Sequence, residues 1–63
     1  MRLAMKVKRL RATRGWTQQA LAQRAHVSVG YVARLETGHH DPKLSTLKKL
    51  AKALGVPATA LLE

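Results

Sequence analysis

Residues Thr17 to Gly38 read TQQALAQRAHVSVGYVARLETG, and the fold turns on how this stretch is divided. Thr17 is a good helix N-cap, because its hydroxyl can accept a hydrogen bond from an unpaired first-turn N–H. A helix is expected after it, about Gln18 to Ala25, with Ala20, Leu21 and Ala25 facing inward. A short break follows at His26-Val27. Ser28 repeats the role of Thr17 and opens a second helix, about Val29 to Thr37, which Gly38 stops. Ala20, Leu21, Val27, Val32 and Leu35 make one apolar seam between the two helices. With Val32 and Leu35 turned to the core, a step of about 100° per residue turns Val29, Gly30, Ala33 and Arg34 outward together.

The pattern continues on both sides. Upstream, about Arg2 to Arg14, Leu3, Val7 and Leu10 recur at helical spacing and Gly15 ends the run. Downstream, His39-His40-Asp41-Pro42 is a loop, because proline disfavours helical geometry in the residue before it. Leu44, Leu47, Leu50, Ala51 and Leu54 mark an amphipathic helix that closes at Gly55, and Pro57 suits the first turn of a short last helix reaching Leu62. No segment alternates strictly enough for a strand. The expected fold is all-α: one domain over residues 1–63, built of five short helices at about 2–14, 18–25, 29–37, 44–54 and 57–62.

Composition narrows the function. A chain of 63 residues buries only ~60% of the surface its unfolded form exposes, so its stability is modest. It has no cysteine, which removes disulfides and thiolate-rich zinc sites as staples. No apolar run nears the ~18 residues of a membrane span, and no signal-peptide core is present. Twelve Lys and Arg against three acids leave a net charge of +9. Such an excess repels itself and weakens the compact state, so its usual reason is a polyanionic partner.

Two helices joined by a short turn and crossing at roughly 90–120° form the helix-turn-helix unit, whose second helix enters the DNA major groove. The outward face of residues 29–37 is small and smooth except for Arg34. A slim helix can approach base edges closely, a guanidinium can pair with guanine O6 and N7, and Val29 can meet a thymine methyl.

Over nearly its whole length the sequence resembles the helix-turn-helix domains of the lambda-repressor/Cro type, often called XRE-type. The resemblance rests on LRATRGWTQQALAQRAHVSVGYVARLETG (Leu10 to Gly38) and DPKLSTLKKLAKALGVPATALL (Asp41 to Leu62). It implies sequence-specific binding of double-stranded DNA through a recognition helix at 29–37, as in a transcription regulator; a minimal, trimmed or engineered module of the same kind also fits. By position it implies DNA contact at Gln18, base-reading places at Ser28, Val29, Gly30 and Arg34, phosphate contacts around His39, His40 and Lys43, and a buried ion pair of Arg11 with Glu36, Arg11 also leaning towards a phosphate. Where relatives often carry a serine, Lys43 is a poor cap that opposes the helix dipole, which suggests service to DNA. The base-contact candidates are therefore Gln18, Gln19, Val29, Gly30 and Arg34. The phosphate-contact candidates are Thr17, Ser28, Tyr31, His39, His40, Lys43 and Arg11.

Each candidate also has a plainer reading. Ser28 and Thr17 are caps first, Tyr31 is balanced between core edge and phosphate, and Arg34 can be a solvated helix residue. Trp16, between a helix-ending glycine and a capping threonine, reads as core. Lys48, Lys49 and Lys52 read as the wet face of their helix, while one of Lys6, Lys8 and Arg9 is expected to reach the flanking backbone. Adjacent His39 and His40 rarely converge on one ion, so no metal and no cofactor are expected. The sequence offers no nucleophile–base pair, no paired carboxylates and no phosphate-cradling glycine loop, so no enzyme is expected. The partner expected is double-stranded DNA, in a bacterial or phage-like cytoplasm and on the nucleoid, with no membrane. Pairing of two copies through Leu61 and Leu62 and a monomer both fit. The competing class is an antitoxin-type protein-interaction module that also binds DNA.

Overall fold

In the computed structural model, which describes residues 2–38 and 41–62, the chain forms α1 (Arg2–Thr13), α2 (Gln18–Ala25), α3 (Val29–Glu36), α4 (Leu44–Leu54) and α5 (Ala58–Leu62). There is no strand among the described residues. The bounds differ from the sequence pattern by a residue at the ends of α1 and α3 and at the start of α5. There Pro57 stands just ahead of the first helical residue, and its carbonyl accepts the Ala60 N–H at 2.9 Å.

Thr17 Oγ1 accepts the Ala20 N–H and Ser28 Oγ accepts the Tyr31 N–H, each at 3.0 Å, so both hydroxyls start their helices as side-chain caps. Three helix ends close alike. Trp16, Val27 and Val56 N–H reach back to the carbonyls of Arg11, Ala22 and Ala51, at 3.2, 3.0 and 3.0 Å, over a residue with left-handed backbone. Two of those residues are glycines, Gly15 and Gly55. The third is His26, at φ 59°. This left-handed histidine sets the turn between α2 and α3, and no glycine announces it.

The core draws on every helix. Leu3 and Val7 of α1, Leu21, Ala22 and Ala25 of α2, Val32 and Leu35 of α3, and Leu47, Leu50, Ala51 and Leu54 of α4 are buried together with Leu61 of α5. Ala22 rather than Ala20 joins Leu21 and Ala25 inside, and Ala20 is half-buried. Leu10, Trp16, Val27 and Tyr31 pack against the edge of this cluster. α2 packs on α3 and α4, while α1 packs on α3 and α5, so α3 lies between the first two helices with one face left over. Leu61 is 1% exposed and fills the protein's own core, which corrects its expected role in pairing two copies; Leu62, 64% exposed, remains available. Among the described residues, no helix is long and apolar enough to cross a membrane.

Candidate nucleic-acid interface

The geometry of α3 is set at its far end. Arg11 Nε donates to Glu36 Oε2 at 2.7 Å and Arg11 Nη2 to Glu36 Oε1 at 3.0 Å, a two-pronged pairing between α1 and the last residue of α3. Arg11 Nη1 also donates to the Trp16 carbonyl at 2.7 Å, and Gln18 Nε2 donates to Glu36 Oε1 at 3.1 Å. The Glu36 side chain is 3% exposed and that of Arg11 15%, so this is a nearly dry cluster with its polar groups matched. The hydrogen bond to Glu36, aided by its charge and opposed by burial, holds the Arg11 pKa above its ordinary value. With three N–H groups engaged inward, Arg11 is placed as a strut, and the expectation that it leans towards a phosphate has little of the side chain left to draw on.

Gln18, a base-contact candidate, is held by the same carboxylate. Its neighbour Gln19 is exposed. Along α3, Val29 is 48% exposed, Gly30 and Arg34 are exposed, and a Cβ added at Gly30 would meet nothing within 4 Å. Ala33, expected outward with them, is half-buried, which narrows the open face to Val29, Gly30 and Arg34. Tyr31 is half-buried against the core. Thr17 and Ser28 are exposed at the N-termini of α2 and α3, where they cap. Lys43 takes the N-cap position of α4 with extended backbone and makes no capping hydrogen bond, leaving its ammonium exposed. His39 and His40 lie outside the described residues.

None of α2, α3 and α4 carries an acid in its first turn, where a carboxylate would offset the positive end of the helix dipole. Of the three acids in the sequence, Glu36 is bound by Arg11 and Asp41 is exposed before α4.

Some contacts gave no sequence signal. The Arg24 guanidinium lies 4.3 Å from the Trp16 ring centroid and that of Arg14 5.9 Å away, so Trp16 packs inward while its ring holds a cation. Lys6 Nζ donates to the Ala60 carbonyl at 3.3 Å, which docks α1 on α5 and removes Lys6 from the candidates for flanking DNA contact. Lys6 and Ala60 stand 54 residues apart, and neither residue type nor spacing specifies any of these pairings.

The sequence profile described as helix-turn-helix matches residues 7–61. The chain belongs to the helix-turn-helix family. This helix-turn-helix chain is similar to the immunity repressor protein of Bacillus phage phi105, with 38% identity over 61 residues, 97% of this chain and 42% of the relative. It is similar also to the HTH-type transcriptional regulator DdrOP3 of Deinococcus deserti, 38% identical over 63 residues, 100% of this chain and 49% of the relative. The helix-turn-helix chain thus spans about half the length of these curated relatives. Among solved structures, the restriction-modification controller protein C.AhdI from Aeromonas hydrophila superposes with a TM-score of 0.91 at 28% identity, covering 95% of this chain and 91% of that one. A hypothetical transcription factor from Neisseria superposes with a TM-score of 0.91 at 37% identity, covering 95% and 67%.

Proposed function

We propose that the chain is one DNA-binding domain that reads double-stranded DNA by sequence, with α3 in the major groove, and that it serves a transcription regulator. The observation that carries this reading is the contrast between the two ends of α3. Its C-terminal residue Glu36 is locked to α1 and α2, while Val29, Gly30 and Arg34 stand open on its outer face. A held helix with an unobstructed face is what base readout requires, because contacts to base edges demand a fixed register.

In this reading Arg34 pairs with a guanine, Val29 meets a thymine methyl, Gly30 lets the backbone come close, and Gln18 and Gln19 reach the adjoining base edge or backbone. Thr17, Ser28, Tyr31 and Lys43, together with His39 and His40, contact phosphates and fix the position on the duplex. The net charge of +9 supplies attraction without sequence preference. The chain acts as a binding module and not as an enzyme, on bacterial or phage DNA in the cytoplasm. Two copies can meet through the exposed Leu62 on an inverted repeat, and a lone copy reads a short half-site.

The test is selection from a randomised duplex pool at ~150 mM salt, where weak phosphate-only binding is suppressed. Enrichment of one motif is expected, with an inverted repeat indicating a pair and a single short site a monomer. Uniform retention that collapses steeply with salt would overturn the sequence-reading claim.

A further inference from the structure

A second cationic feature lies outside the residues assigned to DNA. Where the last turn of α2 packs against α4, a cleft of about 430 Å³ is lined by Arg24, Ala25, His26, Lys49, Lys52 and Ala53. Lys49, Lys52 and Ala53 share one face of α4 at i, i+3 and i+4, and Arg24 and His26 face them from α2 and its closing turn. None of the lining residues is acidic or belongs to α3. The small Ala25 and Ala53 keep the cleft hollow where longer side chains would fill it.

The helix dipole accounts for a cation near each C-terminus, Arg24 on α2 and Lys52 on α4. It does not account for their convergence with Lys49 around one hollow and with no carboxylate among them. Like charges so placed repel one another, and an anion relieves that cost. Arg24 is moreover oriented in advance, because its guanidinium rests on the Trp16 ring at 4.3 Å. The cleft volume falls among the roughly 300–1,000 Å³ of small-molecule sites, enough for a short run of phosphates and too little for a duplex to enter.

We propose that the α2–α4 cleft binds a phosphate-bearing anion through Arg24, Lys49 and Lys52, at a site separate from the reading face of α3. The phosphates come either from a small oligophosphate or from the backbone of a DNA segment lying across the cleft mouth. In both cases charged N–H groups donate to phosphate oxygens.

The protein carries its own reporter, since Trp16 is the single tryptophan and lies under Arg24. The probe is inorganic tripolyphosphate, titrated into the full chain at ~150 mM salt, where screening over about 8 Å mutes charges elsewhere on the surface. Saturable change in Trp16 emission is expected. Lys49→Gln should weaken it by ~3-fold or more and Lys49→Gln with Lys52→Gln by ~10-fold or more, whereas Lys48→Gln, an adjacent exposed lysine outside the cleft, should change it by less than ~2-fold. Thermal melts of each variant separate loss of binding from loss of fold. A duplex-binding series across salt then identifies the source: a slope lowered by ~2 in the double variant indicates DNA backbone, and an unchanged slope a free oligophosphate. Equal weakening by Lys48→Gln and Lys49→Gln, or no saturable binding, would overturn the proposal.

Discussion

Gln18 and Arg11 share one acceptor group: both donate to Oε1 of Glu36, at 3.1 and 3.0 Å, so the start of α2 and the last turn of α1 are fastened to the end of α3 at a single carboxylate. Glu36→Ala leaves a mostly buried guanidinium half-paired and releases Gln18, which should cost about 3 kcal/mol. For a chain of this size that is a large share of total stability. Arg11→Lys should also destabilise, because one ammonium cannot reach Oε1, Oε2 and the Trp16 carbonyl together. With the folded Arg11 pKa raised, its contribution is fully present below the unfolded value and lost only as pH rises through the folded one, so both effects should be constant through the neutral range. Denaturant melts of both variants that overlay the parent would show the cluster to be inert.

His26 should be improvable. A non-glycine residue at φ 59° costs roughly 1–2 kcal/mol, and glycine there costs roughly 0.5–1 kcal/mol in chain entropy. His26→Gly is therefore expected to stabilise by about 0.5–1 kcal/mol, and the β-branched His26→Val to destabilise. Melting temperatures in phosphate-free buffer decide it, and a lower value for the glycine variant would show that the imidazole itself contributes more than the strain removes.

Gly30→Ala separates stability from function. The residue is helical with open space around it, so alanine should add about 0.5–1 kcal/mol of stability. The same methyl stands on the face proposed to lie against base edges. Expected together are a higher melting temperature and weaker binding to the selected duplex. Unchanged affinity would mean that the helix does not approach the bases closely at this point.

Arg34→Ala should leave the melt within about 0.5 kcal/mol of the parent, since the side chain is exposed. Its binding should fall by roughly 1–3 kcal/mol on the selected site, with preference relaxed at one base pair. A uniform loss across all sequences would instead make Arg34 a phosphate contact.

Lys43→Ser should strengthen α4 by supplying the missing capping hydroxyl, worth about 0.5–1 kcal/mol. If Lys43 neutralises a phosphate, the same change reduces the salt slope of duplex binding by ~1. An unchanged slope would assign the lysine no electrostatic part in binding.

The helices were legible because their signals are local. Thr17 and Ser28 cap as hydroxyl residues do, and Gly15, Gly38 and Gly55 take positive φ where the helical pattern stops. The open face of α3 was legible from periodicity once Val32 and Leu35 pointed inward. What escaped depends on the arrangement of helices in space. Nothing in the letters says that His26 adopts the conformation of a glycine, that Arg24 rests on Trp16, or that Ala22 rather than Ala20 is inside. Leu61 and Leu62 look alike in sequence, and only the position of α5 separates a core residue from an exposed one. The Arg11–Glu36 pair was anticipated through family resemblance, because a separation of 25 residues carries no pairing rule of its own.

The attachment of α3 through Glu36 has a consequence for how such a protein can change. The groups that hold the helix sit at residue 36 and in the core at Val32 and Leu35, while Val29, Gly30 and Arg34 contribute little to that hold. In the proposed function, specificity and architecture are therefore written in different residues of one short helix. On that proposal, exchanging Val29, Gly30 and Arg34 as a set, by mutation or by design, should address a new operator while the chassis keeps its shape.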